Sequence, residues 1–197
     1  MMSYLPDEIL VVMALRDEGG HRLEAAGAQV LYTGLGKVNA AYHLTRQLSV
    51  RKPAVVVNMG TAGSQVFKRG DIVACNQFIQ RDMDTSPLGY ARFATPFEDT
   101  PIVIEHRPLF TALAHARCGS GDSFVTDHDP DAGEVVDMEA YALAKVCLLE
   151  SVPFACVKYI SDGANDDAND HWEENLHRGA EAFVQIFTNL IDKPTTP

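Results

Sequence analysis

Basic residues are scarce in this chain: Lys and Arg number 16 against 27 Asp and Glu, a formal net charge of −11 at neutral pH. Binding to a phosphate backbone or an anionic lipid surface depends on clustered Lys and Arg that release counterions. Nucleic acid and membrane surface are therefore not expected as partners. Long apolar runs are missing as well. No stretch approaches the roughly eighteen uninterrupted apolar residues of a membrane span, and the opening MMSYLPDEILVV has neither the basic segment nor the apolar run of a secretory signal. A cytoplasmic protein is expected. The four cysteines, Cys75, Cys118, Cys147 and Cys156, stand singly without CxxC spacing. That excludes a zinc knuckle or a thioredoxin-type motif and leaves buried reduced thiols. Internal repeats, low-complexity tracts and Ser/Gly-rich linkers are also lacking, so residues 1–197 read as one domain.

What is present is a 46% apolar composition, enough to build a core without disulfides or metal. Short apolar runs alternate with segments of helical spacing, the pattern of an α/β fold. Ile9 to Ala14, Gln29 to Thr33, Ala54 to Met59, Asp71 to Phe78 and Phe154 to Ile160 read as buried strands. Val38, Ala41, Tyr42, Thr45 and Leu48 place an apolar stripe on one helix, and Ala140, Leu143, Ala144, Cys147 and Leu148 on a second. A last helix carries Trp172, Leu176, Ala180, Phe183, Val184, Phe187 and Ile191, with Pro194 and Pro197 opposing its continuation. From Arg81 to Arg107, with Pro87, Pro96 and Pro101, the chain reads as loop.

Several segments invite a chemical reading. Gly34-Leu35-Gly36-Lys37-Val38-Asn39 follows a strand and opens a helix, but Asn39 stands where a dinucleotide fingerprint has its third glycine and no ribose-binding acid ends the next strand. Tight strand-to-helix packing accounts better for those glycines. Asn58 to Ser64 reads as a glycine-rich turn closing a strand, either a ligand site or an ordinary turn. The acidic run Asp162 to Asp170 has no register that fits a calcium loop. Glu18, Glu139 and Asp162 each sit at the end of an apolar element. One such acid is commonly a helix-terminus charge. Three at the ends of strands in one sheet can converge on a cleft.

Taken in order, GLGKVNAA (Gly34 to Ala41), VNMGTAG (Val57 to Gly63), GDIV (Gly70 to Val73), SGDSF (Ser120 to Phe124), VDMEA (Val136 to Ala140) and VKYISDGAN (Val157 to Asn165) resemble the purine nucleoside phosphorylase and nucleosidase superfamily, and within it the 5′-methylthioadenosine/S-adenosylhomocysteine nucleosidases. The resemblance implies a three-layer α/β/α sandwich with a central mixed, mostly parallel sheet. It also implies a homodimer that hydrolyses the N-glycosidic bond of an adenine nucleoside without metal or organic cofactor. It assigns Glu18 to activation of the attacking water, Asp162 to protonation of the purine at N7 and Glu139 to the ribose hydroxyls. Met138 would lie beneath the sugar, Phe124 would stack on adenine, Val125 would contact the base through its backbone, and Ser161 and Thr61 would be polar neighbours.

These residue types suit that chemistry. Adenine leaves poorly as an anion, so a general acid must neutralise it, a role open to a carboxyl group only while protonated. A carboxylate near the sugar hydroxyls stabilises the cationic ribosyl fragment, and a second carboxylate can deprotonate water on the opposite face, as in inverting glycosidases. Uracil has no N7, so an acid in that position disfavours a pyrimidine substrate. A phosphorylase needs cations for its phosphate. Family phosphorylases carry Arg where this chain has Glu18 and Asn58, which favours water, while Arg16 and Arg22 keep phosphorolysis as the alternative. An inactive nucleoside-binding relative is the non-enzyme alternative. The chain departs from the family pattern in two places: Gly19 to Thr33 leaves room for one short helix or turn and one strand, and Gly89 to Asp137 is abbreviated. Phe93, Pro96 and Phe97 are candidates either for an apolar wall around the 5′ substituent or for loop packing.

Overall fold

A computed structural model of the chain describes residues 4–125, 129–163 and 172–191, the last stretch with its side chains from Arg178 onward. The strands are β1 (Ile9–Met13), β2 (Gln29–Tyr32), β3 (Val55–Gly63), β4 (Ile72–Gln80), β5 (Ile104–Glu105), β6 (Ala114–Ser120), β7 (Val135–Asp137) and β8 (Phe154–Asp162). The helices are α1 (Arg16–Gly19), α2 (Arg22–Ala25), α3 (Lys37–Val50), α4 (Ala140–Leu149) and α5 (Trp172–Leu190).

All eight strands of the described residues join one mixed sheet. β2, β1, β3 and β8 run parallel in that spatial order. β8 then pairs antiparallel with β4, which pairs parallel with β6, and β6 pairs parallel with β7. β7 returns to β3 through Gly63 and Val136, antiparallel, so that β3, β8, β4, β6 and β7 form a closed ring. β1 and β2 extend it on one side and β5 on the other.

Burial explains the apolar runs. In β1, Leu10 and Val12 enter one hydrophobic cluster with Ala40, Leu44 and Leu48 of α3 and most of α4, while Ile9, Val11 and Met13 enter a second with Leu23 of α2 and Phe183, Phe187 and Leu190 of α5. A strand covered on both faces reads as a continuous apolar run because its alternating side chains are all buried. The i, i+4 spacing of Ala40, Leu44 and Leu48 gives α3 its one buried stripe. Leu44 is fully buried, and its truncation to alanine would cost about 2–5 kcal/mol.

The expected strands and helices are present, with corrections to their ends, β4 running on to Gln80. β3 continues to Gly63 and β8 to Asp162, past the apolar runs that mark them in the sequence. The stretch Gly60 to Gly63 is therefore strand and not turn. Its partners in β8 are Lys158 to Ile160 and Asp162, with one register shift between Ala62 and Gly63. The backbone ladder carries both strands beyond the point where side-chain hydrophobicity ends. β6 escaped the hydrophobic pattern for the same reason: Ala-His-Ala-Arg-Cys-Gly-Ser has little apolar content, and its strand form comes from pairing with β4; β7, Val-Val-Asp, is apolar but only three residues long. The region from Arg81 to Arg107 contains only a single turn of 3-10 helix at Ser86–Leu88 and the two residues of β5. All four cysteines are buried as free thiols. No helix among the described residues is long and apolar enough to cross a membrane.

Candidate active site

The C-terminal half of β3 is the hub of the site. β1 ends at Met13, and one short turn later Glu18 occupies the third position of α1. Its Oε2 accepts the Leu15 N–H at 3.1 Å, while Oε1 accepts both the Thr61 N–H at 2.8 Å and the Thr61 hydroxyl at 2.9 Å. Glu18 is thus a buried carboxylate anchored at both oxygens. Gly60 makes this approach possible, since a Cβ there would stand 3.2 Å from Glu18 Oε1 and 3.6 Å from Lys158 Nζ.

Asp162 reaches the same stretch from β8, opposite Gly63 in register. It is buried, and its Oδ2 accepts the Ser161 hydroxyl at 2.7 Å; that hydroxyl also lies 3.4 Å from the Ala62 carbonyl. Glu139 arrives from the other side, two residues beyond the end of β7, at the N-terminus of α4. Its Oε1 accepts the Gly36 N–H at 2.7 Å. Gly36 has φ +91°, a conformation open to glycine, and precedes α3, whose first N–H groups have no intrahelical partner. The glycines of the GLGKVN block therefore do more than pack a helix on a strand: they present a backbone donor to Glu139. Burial pushes the Glu139 carboxyl up, the negative charges of Asp137 and Glu18 push it further, and Lys158 and the Gly36 N–H oppose them, leaving it at about 7.

Lys158 and Asp137, which lie inside two blocks of the resemblance, complete the site. Lys158 Nζ is 2.8 Å from Asp137 Oδ2. Asp137 also accepts the Ser120 hydroxyl at 2.5 Å and the Ala140 N–H at 2.9 Å, and the Ser120 hydroxyl oxygen accepts the Tyr141 N–H at 2.8 Å. Burial opposes both charges, but their mutual attraction prevails, holding Asp137 below and Lys158 well above the ordinary range. The available signal was a lone cation in an apolar strand and a lone acid in another, each of which needs a partner when buried.

The other named residues are less enclosed. Thr61 and Met138 are half-buried, and Ser161 is buried beside Asp162. Phe124 and Val125 lie on the segment after β6, with Phe124 52% exposed and Val125 half-buried. Phe93 is buried with φ +67°, and Phe97 is 95% exposed with its ring edge-on to Tyr90. So Phe93 packs the loop, and Phe97 is free of the core. Residues 164–170 of the acidic run lie outside the described residues. The two arginines near Glu18 are engaged elsewhere: Arg22 pairs with Glu181 at 2.9 Å, and the Arg16 guanidinium sits over the Tyr32 ring. Asn58 is internal, donating to the Val12 carbonyl and accepting from the Cys156 thiol. Among the described residues no group of three or more His, Cys, Asp or Glu is placed to hold a metal ion.

Buried carboxyl groups beside one buried ammonium, at the carboxyl ends of parallel strands, define a site for charge-separating acid and base chemistry on a small molecule. The sequence model of the Phosphorylase superfamily matches residues 21–192, most of the chain, and the chain belongs to that superfamily. Its similarity within the superfamily is to 5′-methylthioadenosine/S-adenosylhomocysteine nucleosidases. The protein of that name from Anoxybacillus flavithermus is 32% identical, with 87% of this chain and 84% of the relative covered. In fold the chain is similar to the Helicobacter pylori 5′-methylthioadenosine/S-adenosylhomocysteine nucleosidase, with TM-score 0.82, 23% identity, and 94% and 99% of the two chains covered. It is also similar to the futalosine hydrolase of Helicobacter pylori, with TM-score 0.84, 23% identity, and 92% and 96% covered.

Proposed function

We propose that the chain hydrolyses the N-glycosidic bond of an adenine nucleoside of the 5′-methylthioadenosine/S-adenosylhomocysteine type, releasing adenine and the free sugar. The observation that carries this reading is the attachment of Glu18, Asp162 and, through β7, Glu139 to the single stretch Gly60–Gly63. Asp162, steadied by the Ser161 hydroxyl, donates a proton to the purine N7 as the bond to C1′ breaks. Glu139 accepts from the ribose hydroxyls and offsets the positive charge that develops on the sugar. Glu18, held at both oxygens, takes the proton of a water attacking the opposite face. Met138 lies under the sugar, Phe124 stacks on the base and Val125 contacts it through the backbone. Water is favoured over phosphate as nucleophile because the acid Glu18 and the amide Asn58 stand at the arginine positions of the phosphorylases, and Arg16 and Arg22 are bound to other groups.

The reading includes a three-layer α/β/α arrangement, supported by α3 and α4 on one core cluster and α2 and α5 on the other. It also includes a homodimer, supported by Leu35, just before α3, and Val38 and Tyr42, within its N-terminal half, all three exposed, and a cytoplasmic role in purine salvage. The test is chromatographic release of free adenine from methylthioadenosine, S-adenosylhomocysteine and adenosine, with and without phosphate. Adenine and free sugar without phosphate are expected from at least one of the first two. A sugar 1-phosphate formed only with phosphate, or no release from any, would overturn the reading.

A further inference from the structure

The segment Gly121 to Val125 has no helix or strand of its own, yet polar groups hold it at every residue from Gly121 to Ser123. The Arg81 guanidinium donates to the Gly121 carbonyl at 3.1 Å, to the Ser123 hydroxyl at 3.2 Å and to the Ser123 carbonyl. It lies so close over Gly121 that a Cβ there would stand 2.7 Å from the guanidinium carbon. Asp122 is held from both ends. Its N–H donates to Asp82 Oδ2 at 2.9 Å, and its Oδ1 accepts the N–H of Lys37, the first residue of α3, at 2.8 Å. Lys37 Nζ then bridges the two acids, 2.5 Å from Asp82 Oδ2 and 3.2 Å from Asp122 Oδ2. Burial pushes the Asp82 carboxyl up, but Lys37 and the Asp122 N–H lower it by more, so the acid stays charged and paired.

Two features make this more than a loop anchor. Lys37 follows Gly36, whose N–H holds Glu139, so the loop and the sugar-side carboxylate are referenced to consecutive peptide groups of one helix end. And the clamp stops short of Phe124, whose ring stays half exposed on a stem fixed by its neighbours. A ring presented in this way meets a planar ligand with little left to order, which is how preorganisation raises affinity. We infer that Arg81, Lys37, Asp82 and Asp122 are positioning residues for purine recognition, acting through the shape of Gly121–Val125. The inference rests on the reading of Phe124 and Val125 as the base contact.

A clamp that shapes the base site acts equally on bound substrate and transition state. Breaking it should raise KM and the adenine Kd together and leave kcat nearly unchanged. Gly121→Ala displaces the Arg81 guanidinium without changing any charge. Asp122→Ala removes the tie to α3, and Asp82→Asn weakens the ion triad at a partly exposed position. Each is compared with Phe124→Ala by calorimetric titration with adenine, by steady-state kinetics on the nucleoside that the chain cleaves, and in a double variant. Adenine Kd and KM are expected to rise about 5- to 20-fold in Gly121→Ala and Asp122→Ala with kcat within about twofold, and Asp122→Ala should add less than about twofold in the Phe124→Ala background, as coupled neighbours do. Phe124→Ala without effect on adenine affinity would remove the base-contact reading and this inference with it. If Phe124→Ala weakens adenine while the clamp variants leave it unchanged, act additively with it, or lower kcat at constant KM, the inference alone falls. Should Asp122→Ala not fold, Gly121→Ala and Asp82→Asn decide the matter on the same criteria.

Discussion

Lys158 and Asp137 form an ion pair almost wholly shut off from solvent, Nζ to Oδ2 2.8 Å, with side chains 2% and 1% exposed. Its energetic character is asymmetric. Desolvation cancels much of what the attraction supplies, so the pair adds little net stability, but either charge left alone in the interior is costly. Lys158→Met is expected to lower unfolding stability by about 3–5 kcal/mol, and Asp137→Asn by a comparable amount. The double variant should recover part of the loss. Urea unfolding midpoints of the three variants check this, and additive losses would contradict it.

The pH dependence of stability has a defined sign. Glu139 titrates at about 7 in the folded chain against a reference of 4.5, so between these values the folded state holds a proton that the unfolded state has released. Its contribution is complete below about pH 4.5 and is lost as pH rises through 7. The loss amounts to about 3 kcal/mol, at 1.36 kcal/mol per pH unit over the interval from 4.5 to about 7. Glu139→Gln keeps an oxygen acceptor for the Gly36 N–H and removes the titration. Urea unfolding at about pH 5 and pH 8 should show wild type losing more stability than this variant across the interval. Equal losses would refute the assignment.

The setting of Glu18 depends on two β3 residues. Thr61→Val keeps the shape and the backbone N–H bond but removes the hydroxyl donor to Oε1, an interaction of about 1.5–3 kcal/mol for a charged acceptor. Gly60→Ala puts a methyl group 3.2 Å from the same oxygen and forces the carboxylate to move by a few tenths of an ångström. Both variants should lower kcat by about tenfold or more, with smaller changes in KM. Adenine release under saturating substrate measures it, and unchanged kcat in both would show that the position of Glu18 is not critical.

Asp162→Asn separates proton transfer from shape. The amide retains an acceptor for the Ser161 hydroxyl and has no transferable proton, so turnover should fall by about 100-fold or more while nucleoside binding persists. Calorimetric titration of the variant alongside single-turnover adenine release tests the pair of expectations. Wild-type turnover would remove Asp162 from the role of general acid.

Elements with their own hydrophobic pattern were legible in advance. β1 is apolar throughout, and α3 and α4 carry apolar stripes, because a buried surface must be apolar wherever it lies. Glu18, Glu139 and Asp162 stood out as acids at the ends of such elements. The stretch Gly60–Gly63 reads as turn because small residues signal flexibility locally, whereas in the fold they clear space for Glu18 beside a paired strand. β6 has little apolar content and β7 is only three residues long, so neither shows a strand pattern before it pairs. The clamp gave no signal: Lys37 and Asp122 lie inside blocks of the resemblance and Arg81 and Asp82 in a loop, and charges in three separate segments look like solvated residues until the chain brings them together.

The amino-acid order alone determined the α/β class, the buried strands and helices, the reduced thiols and the ordered motifs that resemble the phosphorylase superfamily. Each is written in side-chain chemistry or in local spacing. Tertiary structure alone decided that β7 returns to β3 and closes the ring, that Lys158 meets Asp137, and that consecutive N–H groups at the start of α3 take Glu139 and Asp122. These contacts span gaps of tens of residues or more. A residue's need for a partner is local, but which distant group satisfies it depends on packing the whole chain at once.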